Sequence, residues 1–176
     1  MMPKSNTVVG DGSISTAPIT IKSFNCRGMN DVKKWYVCSL LSNCDILFLQ
    51  EHWMSDDQLV MLDSISPSHH SVGVCGFDCD SVLRGRPYDG CAILWRQGLF
   101  RDVTFVDCSS RRMCAIICSL TFGRVLFINV YMPYECDEAS RIAFKNELSV
   151  IHSVLENYDV SHVIIGGDFN VDFNRD

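Results

Sequence analysis

Long apolar runs are missing from this chain of 176 residues. None approaches the roughly 20 residues that a membrane-spanning helix needs. The opening stretch from Met1 to Pro18 is rich in Ser, Thr, Gly and Asn, with no hydrophobic periodicity and no continuous apolar segment. That excludes a secretory signal and reads as a flexible leader. Basic residues are also scarce: Lys and Arg number 15 against 21 Asp and Glu, a net charge of −6. This counts against tight nonspecific binding to DNA, which draws on Lys and Arg contacts to phosphate. It does not count against phosphate chemistry at a metal, where carboxylates are needed and the ion brings the positive charge. Internal repeats are absent too, and one domain over residues 19–176 accounts for the length.

A complete zinc-type set of Cys and His pairs is likewise missing. Cys75 and Cys79 stand near each other in sequence, but no matching pair completes them. Of the ten cysteines, Cys26, Cys91, Cys114 and Cys118 lie in or beside strand-like apolar runs, where Cys behaves as a small hydrophobe. With no export signal the thiols are expected to be reduced, in a soluble intracellular protein.

What is present is 47% apolar residues in short runs. Strands are expected at Ile19–Cys26, Asp45–Gln50, Ser71–Phe77, Gly90–Trp95, Val103–Val106, Met113–Leu120 and Arg124–Tyr131, the last two forming a hairpin through Thr121-Phe122-Gly123. Asp45–Gln50 is apolar throughout, as in a strand covered on both faces. The run Val163–Ile165 reads as a final buried strand. Asp31 is expected to cap a helix with a stripe of Val32, Trp35, Tyr36, Leu40 and Leu41, and Ser55-Asp56-Asp57 a shorter one. The longest helix follows Asp137, with Phe144, Leu148, Ile151, Leu155 and Tyr158 at steps of four and three. Asp78 to Asp89, centred on Arg84, Gly85, Arg86 and Pro87, has loop composition. Short links between the middle strands favour antiparallel pairing, and two sheets packed face to face with helices outside fit this order.

Four segments put polar residues at the ends of apolar strands, where a rigid frame can hold a constellation. They are Asn25 in SFNCRG, Gln50 and Glu51 in ILFLQE, Asn129 and Tyr131 in FINVYMP, and Asp168 and Asn170 in GGDFN. In an extended backbone residues two apart point the same way, so Asp168 and Asn170 are expected to project together while Phe169 turns to the core. A carboxylate beside a carboxamide suits a metal-held phosphate. Taken singly, each residue is more often a turn former, a solvated loop start or a packing residue. Their joint order and spacing outweigh those readings. The histidines His52, His69, His70, His152 and His162 fit no catalytic pattern; His69 and His70 read as part of a polar loop.

In this order SFNCRG, LQE, YDGCAILW, NVYMP and GGDFN resemble the endonuclease/exonuclease/phosphatase family, which includes DNase I and apurinic endonucleases. The wording ILFLQEHW and NVYMPYE is most similar to endonuclease domains of LINE-type (non-LTR) retrotransposons. The resemblance implies a DNase I-like four-layer α/β sandwich of two mainly antiparallel sheets flanked by helices. It implies Mg²⁺, or Mn²⁺ in its place, with Glu51 as principal ligand and Asn25 assisting at metal and phosphate. Asp168 would orient or deprotonate the attacking water, Asn170 would hold the scissile phosphate with Asn129 beside it, and Tyr131 would donate to a phosphate oxygen or the leaving group. The implied reaction is in-line hydrolysis of a phosphodiester, nicking target DNA for reverse transcription by a linked reverse transcriptase domain. A same-family repair nuclease or phosphatase is the second reading, and a non-catalytic remnant or binding module the third. Three departures stand out. The family's glycine pair reads Asp89-Gly90, Tyr134 follows the proline of NVYMP where many relatives have Asn, and the closing Ser-Asp-His block has no counterpart. The expectation is a fold incomplete at its C-terminus, with apolar surface exposed beside the last strand and little or no activity.

Overall fold

A computed structural model describes residues 18–79, 85 and 87–171. The leader up to residue 17, the loop residues Arg84 and Arg86, and residues 172–176 lie outside the described residues. The described residues form eight strands, two α-helices and a 3-10 helix. In chain order they are β1 (Ile21–Asn25), α1 (Asp31–Leu41), β2 (Ile46–Gln50), the 3-10 helix Asp56–Leu62, β3 (His69–Val74), β4 (Cys91–Arg96), β5 (Val103–Val106), β6 (Met113–Leu120), β7 (Gly123–Tyr131), α2 (Glu138–Asn157) and β8 (His162–Asp168).

Two four-stranded sheets form, ordered β1-β2-β4-β3 and β5-β6-β7-β8. Each carries one parallel pair, β1 with β2 and β7 with β8, and the other neighbours are antiparallel. Alternation along each strand then divides the side chains among three apolar layers. Leu47, Leu49 and Leu94 face Val37 and Leu41 of α1 on the outside of the first sheet. Ile46, Phe48 and Ile93 meet Ile116, Val125 and Phe127 between the sheets. Ile117, Leu126, Ile128 and Val130 meet Ile151 and Val154 of α2 on the outside of the second. The result is the expected four-layer α/β sandwich. β2 is fully buried along its length, as its unbroken apolar run requires.

Several local expectations are corrected. The α1 cap is Asn30, whose side chain accepts from the Lys33 amide, and Asp31 is the first helical residue. The α1 stripe is also displaced. Val32 and Trp35 are 76% and 74% exposed, and the face on the sheet carries Val37 and Leu41. A short helix crossing a sheet buries only a narrow strip, and spacing alone does not say which of two apolar faces it is. Asp137 does cap α2, but Leu148 is exposed and Val154 takes its place in the core. His69 and His70 belong to β3, with His69 buried. Val163, Ile164 and Ile165 are not buried. β8 is the outer strand of its sheet, and these three side chains are 37–40% exposed, as expected for apolar surface beside the last strand.

Candidate active site

Both parallel pairs end at the same edge of the sandwich. Asn25 stands opposite Gln50 at the end of the β1-β2 pair, and Tyr131 opposite Asp168 at the end of β7-β8. Residues distant in sequence, one group per sheet, are thereby brought face to face. The Asn25 amide nitrogen donates to Glu51 Oε1 at 2.7 Å and to Asp168 Oδ2 at 2.8 Å, joining carboxylates from the two sheets. The Asn25 carbonyl oxygen accepts from the Arg27 amide at 3.1 Å, which fixes the orientation of the carboxamide.

Tyr131 is hydrogen-bonded to Glu51. Burial, and then the charge and hydrogen bonding of Glu51, push its phenol up to about 12. At neutral pH Tyr131 is therefore a proton donor. Arg112 lies over its ring at 5.5 Å and pairs with Asp89 at 3.0 Å. Burial raises the Asp89 carboxyl above the usual range, Arg112 opposing the rise and Glu51 adding to it. The cluster thus holds three carboxylates, Glu51, Asp89 and Asp168, against one guanidinium. Carboxylate oxygens are the donors a hard divalent cation prefers, so Glu51 offers such an ion a ligand, while the three carboxylates do not converge within 4.8 Å of one another.

The backbone around these groups is strained. Among the described residues, non-glycine positive φ occurs at Arg27, Glu51, Trp53, Asp89, Asn170 and Ser109. All but Ser109 surround this cluster. Each costs of order 1 kcal/mol or more and persists only where neighbours enforce it, a pattern typical of functional sites. Here the enforcement is visible: the Gly28 amide donates to Glu51 O at 2.7 Å and the Trp53 amide to Asp89 O at 3.1 Å.

The Gly-Gly pair before Asp168 has a packing reason. A Cβ on Gly166 would lie 2.9 Å from the Phe48 ring, and one on Gly167, at φ +131, only 2.1 Å from Val130 O. Asp168 and Asn170 do come together, but not on an extended strand as expected. Asn170 has φ +50 and its amide donates to Asp168 Oδ1 at 3.0 Å, a side-chain-closed turn. Its carboxamide nitrogen donates to Met132 O at 2.7 Å. Phe169 packs on the α2 side of the second sheet, as expected.

Asn129 differs from its expected place at the substrate. It is fully buried between the sheets, donating to Leu49 O at 2.9 Å and Ala92 O at 2.8 Å, while its oxygen accepts from Gln50 at 2.6 Å. Its polar atoms are all spent on the opposite sheet. Gln50 is consumed in the same contact, which leaves Glu51 to face the cleft. His52 is structural: Nδ1 accepts from the Met54 amide at 3.0 Å, so Nε2 carries the proton that bonds Val74 O at 3.1 Å. Burial lowers its pKa to about 4. Arg112 and the charge of Asp89 had not been anticipated at the site. Their one trace in the sequence is a charged pair, Arg111-Arg112, abutting an apolar strand.

A model of the endonuclease/exonuclease/phosphatase family matches residues 23–176. The chain belongs to that family. Among solved structures of similar fold are a 3′ phosphatase, NExo, from Neisseria bound to product DNA hairpin (23% identity, TM-score 0.60, 88% of this chain and 58% of that one) and the catalytic domain of Xenopus laevis APE2 (20%, 0.60, 87% and 59%). A third is the endonuclease domain of TRAS1, a telomere-specific non-LTR retrotransposon (14%, 0.58, 88% and 60%). At these identities the likeness is one of fold. The chain spans about three fifths of the length of these structures. No curated protein sequence matches it.

Proposed function

We propose that this chain carries the catalytic face of a metal-dependent phosphodiesterase acting on DNA, and within that class a target-nicking endonuclease of a non-LTR retroelement. The observation that carries the reading is the Asn25 amide joined at once to Glu51 and Asp168 from opposite sheets. Glu51 is the residue to hold Mg²⁺ or Mn²⁺, with Asn25 beside it; the ion, when bound, supplies positive charge to the phosphate oxygens. Asp168, fixed by Asn25 and by the Asn170 amide, accepts the proton of the attacking water. Tyr131, held protonated by burial and by Glu51, donates to a phosphate oxygen or the departing alkoxide. Asn170 gives one carboxamide N–H to Met132 O, and we assign the other to the scissile phosphate. Arg112 adds a cation near Tyr131 that favours an approaching phosphate.

The retroelement assignment rests on the wording of ILFLQEHW and NVYMPYE and on the fold likeness to the TRAS1 domain. A linked reverse transcriptase and work in the nucleus belong to this reading. A repair nuclease or 3′ phosphatase is the second reading, favoured by higher identities to the Neisseria and Xenopus proteins. Three substrates separate them: supercoiled plasmid, an abasic duplex and a 3′-phosphorylated hairpin. The retroelement reading expects weak nicking of the intact plasmid, ahead of the other two substrates, and exclusive action on the abasic or 3′-phosphate substrate overturns it. Metal binding is read independently of turnover. Mn²⁺ is expected to raise Tm in the native chain and not in Glu51→Gln. Nicking that survives both Glu51→Gln and Asp168→Asn would sink the site assignment.

A further inference from the structure

Cys75 and Cys79 looked unpartnered in sequence, and the fold supplies the missing neighbour. Cys75 follows β3, Cys79 closes the next turn, and Asp56 opens the 3-10 helix. One ligand atom from each lies within 4.8 Å of the other two, and the sulfurs are 3.2 Å apart. We propose that Cys75, Cys79 and Asp56 bind a thiophilic divalent ion of the zinc class.

The donor chemistry points to that class. Two thiolates and one carboxylate select zinc, cobalt or cadmium over magnesium, which prefers oxygen throughout. The site therefore discriminates against the ion expected at Glu51. The spacing fits: sulfurs bound tetrahedrally at about 2.3 Å from zinc stand roughly 3.8 Å apart, a small opening from the separation of the protonated pair. Both thiols lean toward one carbonyl, Cys75 Sγ at 3.1 Å and Cys79 Sγ at 3.9 Å from Phe77 O, so the turn wraps a single point. Cys75 is buried while Cys79 and Asp56 are exposed, which leaves an entry side and room for a water as fourth ligand. On binding, two thiol protons leave to solvent and two metal–sulfur bonds and one metal–oxygen bond form.

The location gives the ion a consequence for the cleft. Gly76, between the two ligand cysteines, packs so closely on Asp89 that a Cβ there would lie 2.3 Å from the Asp89 Cβ. Phe77 O accepts from Arg111 at 2.6 Å, next to Arg112. An ion clamping this turn to the 3-10 helix stiffens the wall that carries the Arg112–Asp89 pair.

The test is a Co²⁺ titration of the reduced 176-residue protein after treatment with a chelator. Expected are a thiolate-to-cobalt charge-transfer band and intense tetrahedral visible bands that saturate at one equivalent, vanish on adding Zn²⁺ and persist in excess Mg²⁺. Cys75→Ser and Cys79→Ser lose the charge-transfer band, Asp56→Asn weakens binding at least ~10-fold, and Cys38→Ser leaves both unchanged. Because Cys75 is buried, a second measurement avoids the variants. Zn²⁺ is expected to protect Cys75 and Cys79 of the native chain from alkylation, mapped by mass spectrometry, while exposed Cys38 and Cys136 react at unchanged rates. Absence of the band in reduced protein, a band that survives both serine variants, or equal alkylation with and without Zn²⁺ overturns the proposal. So does a Cys75–Cys79 disulfide that forms equally fast with Zn²⁺ present.

Discussion

At the scale of single residues, the site owes its shape to groups that do no chemistry. Removing the Asn129 side chain takes one donor each from the Leu49 and Ala92 carbonyls and the acceptor from the Gln50 amide, in a dry layer. Asn129→Ala is expected to cost about 2–4 kcal/mol in urea denaturation, since each buried unsatisfied group costs about 1–3 kcal/mol. Two glycines offer a controlled comparison. Gly98, at φ +74, has nothing within 4 Å of a Cβ, whereas at Gly167 the Cβ meets Val130 O. Gly98→Ala should lose roughly 1 kcal/mol from backbone conformation alone, and Gly167→Ala several times more, with Asp168 displaced. His52 predicts a pH dependence. Its folded pKa, about 4, lies below the unfolded value of about 6.5, so the unfolded chain binds the extra proton. The stability it contributes is full above about pH 6.5 and declines as pH falls toward 4, by up to about 3 kcal/mol. His52→Gln should flatten that limb of the stability–pH curve.

Among elements, the strands were legible and the helix faces less so. Short apolar runs ending in Asn25, Gln50, Tyr131 and Asp168 are legible from local composition, and so are their C-terminal ends, where the site lies. The α1 face depends on which side meets the sheet, and Trp35 and Val32 were apolar without being needed there. Its start is testable. Asn30→Ala should destabilise by about 1 kcal/mol, whereas Asp31→Asn should change stability by a few tenths at most, measured by chemical denaturation. Whereas Asn170 closes a local turn on Asp168, the left-handed residues Glu51 and Asp89 were invisible in sequence, because the tertiary frame holds them there. The same holds for Arg112, which meets Asp89 only when the start of β6 is laid beside the glycine loop.

For the whole molecule, acidity and function fit together. A net charge of −6 counts against tight nonspecific binding to DNA, which draws on Lys and Arg contacts to phosphate. Occupancy of the Glu51 position at one hundred times its Kd would add about 2.7 kcal/mol to unfolding stability. A Tm rise with Mn²⁺ that Glu51→Gln removes is the expected outcome in calorimetry. Among the described residues no helix is long and apolar enough to cross a membrane.

The amide of Asn129 has a further consequence for how this architecture can vary. Its three bonds all cross from the second sheet to the first, and hydrogen bonds tolerate only about half an ångström of stretch. The sheets therefore cannot slide past each other much further without losing them. That ties the strand ends carrying Glu51 and Asp168 to one mutual alignment. Loops around the cleft are free to drift and to take up new substrates while the reacting groups keep their spacing.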